Sequence, residues 1–493
     1  MTIKHIASLF VANKGLRQVI LKNTFWLIVS EFLSRALGFV LIVYVIRALG
    51  AEEYGRFAFA LAFVSMLVIL ADFGLPPILT REFAHRREAE KEFPSVLSLK
   101  ILLSCVVLAV MLVASLFITS DPTVLKLIWI FSPFVLISNF FLLLFAFLQA
   151  RQKMEYQALL KTGQAVLLLG AGSYVLFQYP MVENFAYAYL AANILALIGS
   201  LLFFHFRIVK LKLAWQPETI RKFVQLSWPL ALATIFGALF VNIDSVMMGY
   251  FGQIVQTGWY NAAYRIIGAV VIPATLIATS FYPAMSKFFQ ESLERFQNIL
   301  NIQLELMVVL AFPIAAGGLL LASRIIYFFY DPSFAPAIPA FQILVGMISI
   351  SFLYGPFYSA LLASGHQRTA LQVTFWGALV NVILNLVLIP RYSLYGAAVA
   401  ILIAQLVILL LAGRSVRRLL PAPLISVGAA RAVLVAFFST LLMVGAISAP
   451  LVSHLSVVLV VALGAFVYLA AVSFFVVRGI GWLSLKHWKT QWA

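Results

Sequence analysis

Apolar runs of about 20 residues recur along the whole chain, and no other feature restricts its fold as strongly. A helix of about 20 residues is long enough to cross the roughly 30 Å hydrocarbon core of a bilayer. Of the 493 residues, 63% are hydrophobic and only 10% are charged, whereas ordinary soluble domains carry about 25% charged residues. Transmembrane barrels show segments of about ten residues that alternate polar and apolar, a pattern not seen here. The sequence therefore predicts an all-α polytopic membrane protein.

Counting the apolar runs between charged or Gly/Pro-rich breaks predicts about fourteen transmembrane helices. Lys and Arg residues concentrate in alternate connections, so the positive-inside rule predicts that both termini are cytoplasmic. The expected location is the cell (inner or plasma) membrane, which the chain would cross many times. The approximate limits of the predicted spans are 23–46, 54–73, 97–119, 124–149, 156–178, 184–206, 223–249, 258–281, 299–321, 337–363, 369–389, 395–413, 430–449 and 454–477.

Charge and residue usage argue against several classes of function. The net charge of +17 comes from short basic tracts between apolar runs, a pattern that reports membrane topology, so no nucleic-acid partner is predicted. Cys105 is the only cysteine, and the six histidines fall in connections, at span ends or near the termini, so no metal site is predicted. No G-x-x-x-x-G-K-[ST] loop is present, and no cofactor is expected. The outer connections are short, which disfavours a membrane glycosyltransferase or polymerase, the alternative among enzymes.

Two pairs of segments indicate an internal repeat. "VIRALGAEEYGRFAFALAF" and "MMGYFGQIVQTGWYNAAYRI" share a glycine, a polar turn, a second glycine and an aromatic residue, with Gly50 and Gly55 matching Gly252 and Gly258. "FLQARQKMEYQALLKTGQAV" similarly parallels "LLASGHQRTALQVTFWGALV". Both pairs are offset by six spans, so the sequence predicts two six-helix lobes in a parallel pseudo-twofold repeat. The predicted domains are a cytoplasmic amphipathic segment (1–22), an N-lobe (23–206), a basic cytoplasmic linker (207–222), a C-lobe (223–419), and two further helices with a cytoplasmic C-terminus (420–493).

Four stretches resemble the polysaccharide-biosynthesis flippases of the Wzx type, within the multidrug/oligosaccharidyl-lipid/polysaccharide exporter superfamily. The most specific stretch is "GALVNVILNLVLIPRYSLYGAAVAILIAQ". The other three are "RALGAEEYGRFAFAL", "LADFGLPPILTREFA", and "NIDSVMMGYFG" with "GWYNAAYRI". The segment "LSRALGFV" also resembles lipid II flippases, but Leu41 stands where a second arginine is expected, which counts against that assignment.

This resemblance implies a transporter, without catalytic residues, in which two lobes surround a central cavity. The implied substrate is a polyprenyl-pyrophosphate-linked oligosaccharide that crosses the bilayer by alternating access. The expected partners are this lipid-linked glycan, the bilayer and polysaccharide polymerase or assembly proteins, and the chain is expected to be a monomer. The alternatives within transport are a cation-coupled multidrug exporter and a lipid II flippase.

Charged residues inside the spans are the candidate site. Glu31 and Arg35 lie four residues apart on one face of the first helix, on a stripe with Gly38. They are either an intrahelical ion pair that lowers its own insertion cost or a stripe that lines an aqueous cavity. Because guanidinium groups bind phosphate oxygens in a bidentate manner, Arg35 and Arg265 are predicted ligands of a pyrophosphate head group.

Other candidates complete the predicted substrate site. Asp244 either pairs with Arg265 across the seventh and eighth spans or takes up a coupling cation. Asp72, at the end of the second span, is predicted to be a solvated cap of the turn before "GLPP". Three tyrosines around the "GYF...GWYNAAY" turn are either packing residues or platforms for sugar rings: Tyr250, Tyr260 and Tyr264.

Overall fold

The computed structural model of the chain describes residues 16–420 and 427–477, which are helical apart from short connections and three turns of 3₁₀ helix. Most of the predicted amphipathic segment and the predicted cytoplasmic C-terminus lie outside these ranges. The chain divides into two compact units, Met1–Gly258 (unit 1) and Trp259–Ala493 (unit 2). This division assigns the helix after the predicted linker to unit 1, and the predicted lobe boundary stays a prediction.

Unit 1 is built on one very long helix, α1, against which the other helices pack. Five of them, α3, α4, α5, α6 and α8, make extensive contacts with α1. The helices of unit 1 are α1 (Leu16–Asp72), α2 (Leu75–His85), α3 (Phe93–Ile118), α4 (Pro122–Phe131), α5 (Phe134–Ala150), α6 (Met154–Gln178), α7 (Val182–Arg207), α8 (Pro217–Tyr250) and the start of α9 (Ile254–Val270).

Unit 2 is organised around two long helices that pack closely on each other, α13 and α14, with α11 against α13. The last two helices, α15 and α16, pair with each other and contact α11. The helices of unit 2 are the rest of α9, α10 (Ile272–Glu291), α11 (Leu293–Leu320), α12 (Ala322–Phe329), α13 (Ala337–Ala363), α14 (Gln367–Arg417), α15 (Val427–Ile447) and α16 (Val457–Val477).

The described helices account for the predicted number of spans. Within the described ranges, 11 helices are long and apolar enough to cross a membrane, or 12 if α9 and α10 form one bent span. Two of them are long enough to cross twice: the 65-residue stretch Leu21–His85, which runs through α1 and α2, and the 51-residue helix α14. Each is interrupted by a residue with non-helical backbone, Gly50 in α1 and Ser393 in α14. Counting both halves of these helices, and α9 with α10 as one bent span, brings the number to the predicted fourteen.

The repeated segments share unusual backbone conformations. Gly50 and Gly252 both have φ of 74°, in the left-handed region that glycine adopts at little cost. In the second repeated pair, Gln152 (φ 55°) and Gly365 (φ 78°) occupy corresponding positions. The following amides of the second pair donate back to the carbonyls of Leu148 and Leu361 at 2.9 and 2.8 Å, closing the same type of helix C-cap. The matched turns therefore support the internal repeat.

Ion pairs join the connections between helices at each end of unit 1, and we call these ends the basic end and the far end. At the basic end, Arg151 Nε donates to Glu90 at 2.9 Å, and Lys222 lies 2.9 Å from Glu92 and 3.5 Å from Glu82. At the far end, two pairs join other connections: Arg56 with Asp121 at 3.1 Å, and Lys126 with Glu183 at 3.6 Å. This grouping follows the alternation that the distribution of Lys and Arg predicts.

The prediction that Asp72 is solvated is wrong. Its side chain is only 13% exposed and accepts a hydrogen bond from the buried ammonium of Lys100 at 2.8 Å. The same ammonium donates to the backbone carbonyl of Asp72 at 2.9 Å, satisfying one of the carbonyls left open at the end of α1. Lys100 lies about two turns into α3, where its ammonium reaches both the carboxylate and the carbonyl of Asp72 at the end of α1.

A tyrosine of the last helix satisfies a carbonyl released by a proline in unit 2. Pro313 lies inside α11 and has no N–H to donate to the carbonyl of Val309. The hydroxyl of Tyr468 in α16 donates to that carbonyl at 2.6 Å. The kink in α11 is therefore coupled to the docking of α16.

Candidate functional site

The charged stripe of α1 meets a lysine of α6. Arg35 Nε donates to Glu31 Oε1 at 2.6 Å, and the Lys161 ammonium donates to the other oxygen, Glu31 Oε2. We call Glu31, Arg35 and Lys161 the charge cluster. It forms because the favourable i, i+4 spacing on α1 faces a helix that packs along it. The sequence predicts the first two residues, and the structure adds the third.

The charge cluster lies between α1 and α6 and remains accessible. Lys161 follows the first residue of α6 by seven positions, which is about 10 Å along the helix axis. The side chains of Arg35, Glu31 and Lys161 are 48%, 39% and 29% exposed. A Cβ atom added at Gly38, or at Gly163 on α6, would meet no atom within 4 Å, so space is open beside the cluster.

The charge cluster has a net charge of +1. Two cations share a single carboxylate, with one oxygen for each. Among the residues that the structure describes, Arg35 engages only through Nε, so its two Nη groups stay available for a planar, bidentate acceptor. Such an arrangement can bind a polyanion, and phosphate oxygens match the guanidinium geometry.

Polar side chains continue from the charge cluster along α6. Gln164, about one turn beyond Lys161, donates from Nε2 to Asn193 Oδ1 of α7 at 2.7 Å. Asn193 is fully buried and donates to the carbonyl of Tyr189 at 2.8 Å. The bond of Gln164 with Asn193 joins α6 to α7 about one turn beyond Lys161.

The remaining predicted site residues lie elsewhere. Asp244 is buried in the last part of α8, and Tyr250, at the end of that helix, is 58% exposed. Arg265 is exposed on the unit 2 part of α9. Tyr260 is buried, and its ring stacks on Tyr264 with centroids 6.0 Å apart. The pairing of Asp244 with Arg265 and the stacking of these tyrosines on sugars stay predictions.

Sequence analysis assigns Lys161 only to membrane topology. A lysine near the start of a span normally indicates on which side of the membrane that end of the helix lies. The sequence does not show which helix packs beside the lysine. The available signal was its depth of two turns, too far from the end for an ordinary interfacial lysine.

Two proteins similar to this chain are described as probable flippases. The chain is 28% identical to the probable flippase AglR of Haloferax volcanii over 178 residues, 35% of this chain and 37% of that protein. It is 20% identical to the probable low-salt glycan biosynthesis flippase Agl15 of the same organism, over 77% of this chain and 79% of that one.

The fold is that of a solved lipid flippase. The structure of the lipid II flippase MurJ in an inward closed conformation superposes with a TM-score of 0.76. The match covers 92% of this chain and 99% of MurJ at 19% identity, so it establishes the fold alone. The family model described as "Polysaccharide biosynthesis protein" matches residues 20–289, more than half of the chain, and the chain belongs to this family.

Proposed function

We propose that this protein is a flippase that moves a polyprenyl-pyrophosphate-linked oligosaccharide across the cytoplasmic membrane by alternating access. The glycan would be a repeat unit of O-antigen, capsule or exopolysaccharide. Membership of a polysaccharide-biosynthesis family supports this assignment, as do the two relatives described as flippases. Moving a lipid head group needs binding and release but no bond cleavage, so we assign no catalytic residue.

The charge cluster is the observation that carries the proposal. A pyrophosphate diester has two negative charges and several acceptor oxygens, and it needs cations inside the membrane to replace its hydration. Arg35 and Lys161 supply two such cations from different helices, and Lys161 lies about two turns into α6. Hydrogen bonds to charged groups contribute about 1.5–3 kcal/mol each, enough to hold the head group during transfer. Arg265 is the proposed partner from unit 2.

Contacts at both ends of unit 1 support alternating access. At the far end, α1 and α9 approach so closely that a Cβ on Gly55 would collide with the carbonyl of Ile254. At the basic end, Gly74 packs against α8, with Ser227 O only 3.0 Å from an ideal Cβ position. Each end is thus closed by a contact that must separate when the transporter opens on that side. The polyprenyl chain would stay in the bilayer beside the helices.

Reconstituted protein tests the proposal directly. Proteoliposomes should translocate a fluorescent polyprenyl-pyrophosphate oligosaccharide, measured as the fraction of probe that becomes accessible to a membrane-impermeant quencher. Arg35→Gln and Lys161→Gln should each lower the initial rate at least about tenfold, the equivalent of about 1.4 kcal/mol. Their thermal midpoints should stay close to that of the wild type, since both side chains are partly exposed. Lys126→Gln, which removes an exposed cation at the far end, is the matched control and should keep the rate.

The competing functions give different results in the same assay. A multidrug exporter would efflux cationic dyes and leave the lipid-linked glycan in place. A lipid II flippase would prefer a pyrophosphate lipid that bears a peptide. A glycosyltransferase or polymerase would lengthen the glycan without moving it.

A further inference from the structure

Glu31 holds the two cations that the proposed ligand needs. Its two carboxylate oxygens bind Arg35 and Lys161 separately, so one negative charge is shared between two cations. The Nη groups of Arg35 stay open to a ligand, but a head group that bridges both cations competes with Glu31 for Lys161 and for Arg35 Nε. In this arrangement the carboxylate competes with the ligand.

The outcome of that competition depends on the charge of the ligand. A phosphodiester with one negative charge offers the two cations no more charge than Glu31 already does. A pyrophosphate diester offers two charges and bridges both cations, so its attraction exceeds that of the carboxylate. Glu31 is also fixed in place by α1, and an external monoanion must lose translational freedom to replace it.

We infer that Glu31 is a specificity-determining residue that makes the charge cluster select pyrophosphate lipids over singly charged phosphodiester lipids. This inference rests on the proposed function and adds to it a mechanism of discrimination. The surrounding bilayer makes discrimination necessary, because phosphodiester phospholipids greatly outnumber any lipid-linked glycan. A site built from Arg35 and Lys161 alone would bind those phospholipids, whereas the three-residue cluster excludes them.

A purely structural ion pair makes a different prediction. If Glu31 served only to lower the cost of burying Arg35, its removal would destabilise the protein and leave lipid preference unchanged. The partial exposure of all three side chains favours the competitive role, since exposed pairs contribute little to stability. Lipid preference is thus the readout that separates the two roles.

The test uses the full-length protein in nanodiscs and a fluorescent polyprenyl pyrophosphate as the probe. Probe binding is measured in phosphatidylcholine discs with and without phosphatidylglycerol, a lipid with one negative charge. For Glu31→Gln we expect phosphatidylglycerol to raise the dissociation constant of the probe at least about tenfold, a change worth about 1.4 kcal/mol. The wild type should change much less.

Three further variants keep the experiment interpretable. Glu52→Gln is the matched control, because Glu52 pairs with Arg56 at the same i, i+4 spacing, at 2.8 Å, but at the far end. It should behave like the wild type in both lipids. If Glu31→Gln does not fold, Glu31→Ala replaces it, while Glu31→Asp restores one negative charge and should restore the discrimination.

Each contrary result overturns a different claim. If phosphatidylglycerol affects Glu31→Gln and wild type alike, Glu31 does not set the preference, although the proposed function survives. If Glu31→Gln loses probe binding in both lipids, the carboxylate takes part in binding and the competitive role is wrong. If the wild type shows no saturable binding that Arg35→Gln abolishes, the proposed head-group site itself fails.

Discussion

The two ends of unit 1 are closed by different chemistry. At the far end, α1 and α9 touch backbone to backbone, and a Cβ on either Gly55 or Gly258 would collide with a carbonyl of the other segment. At the basic end, Gly74 also lies against the backbone of α8, but side chains add ionic contacts between α2, α3 and α8, including the pairs of Lys222 with Glu82 and Glu92. An aromatic cluster lies among these charges, with the rings of Phe83, Phe93, Phe147, Phe204 and Phe223 in contact.

This difference determines how each end responds to change. A backbone contact depends on shape, so one additional methyl group prevents it and salt does not affect it. An ionic contact depends on screening and on burial, so it weakens gradually. Within the basic end the buried pair of Lys100 and Asp72 should matter far more than the exposed pairs of Lys222.

Lys100→Gln should have the largest effect of the predicted substitutions. It leaves the carboxylate of Asp72, 13% exposed, without its buried cation and leaves the carbonyl at the end of α1 without a donor. Breaking a buried pair from one side costs about 3–5 kcal/mol, and we expect a corresponding fall in the free energy of unfolding in detergent.

The double variant Lys100→Met with Asp72→Asn controls for this experiment, because it removes both charges and should recover most of the lost stability. If Lys100→Gln is as stable as the wild type, the basic end does not depend on its buried pair, and the contrast with the exposed pairs disappears.

Gly55→Ala should have the next largest effect, and its effect should be on conformation. The new Cβ collides with the carbonyl of Ile254, so closure of the far end requires a backbone shift, and overpacking of this kind costs about 1–3 kcal/mol. The far end should therefore open. After replacement of the only cysteine, Cys105, spin labels at Glu52 and Gln256 should report longer distances.

Gly170→Ala, on α6, is the matched control for Gly55→Ala, because a Cβ there meets no atom within 4 Å. It should leave both the distance distribution and the flipping rate unchanged. An unchanged distance in Gly55→Ala, with the fold intact, would mean that the contact at Gly55 is not what closes the far end.

Much of this organisation could be predicted from local sequence patterns. Hydropathy predicts the helices because the thickness of the bilayer sets the length of a span. The glycine-turn-glycine pattern predicts the repeat because left-handed turns require particular residues. The confirmed family assignment likewise rests on extended motifs. The pairing of Glu31 with Arg35 follows from helical spacing alone.

Sequence analysis could not predict contacts between helices that are distant along the chain. Lys161 reaches Glu31 across 130 residues, and nothing near either residue states that α6 packs on α1. Lys100 and Asp72 are separated by 28 residues, and each residue alone is typical of the membrane–water interface. Charges near the ends of spans are therefore the residues whose roles sequence analysis misassigns most easily.

Lys222→Gln should have the smallest effect. The Lys222 side chain is 35% exposed, so its pairs with Glu82 and Glu92 together contribute only about 0–1 kcal/mol. We expect labels at Ala84 in α2 and Glu218 in α8 to sample slightly longer distances, and high salt should produce the same change in the wild type. Lys210→Gln is the control, because it removes an exposed charge that belongs to none of the ion pairs described above. It should change neither the distance between the labels nor its response to salt. If Lys222→Gln instead opens the basic end as fully as Gly55→Ala opens the far end, then the exposed pairs, together with Gly74, act as a single cooperative contact. In that case the two ends would differ in chemistry but not in strength.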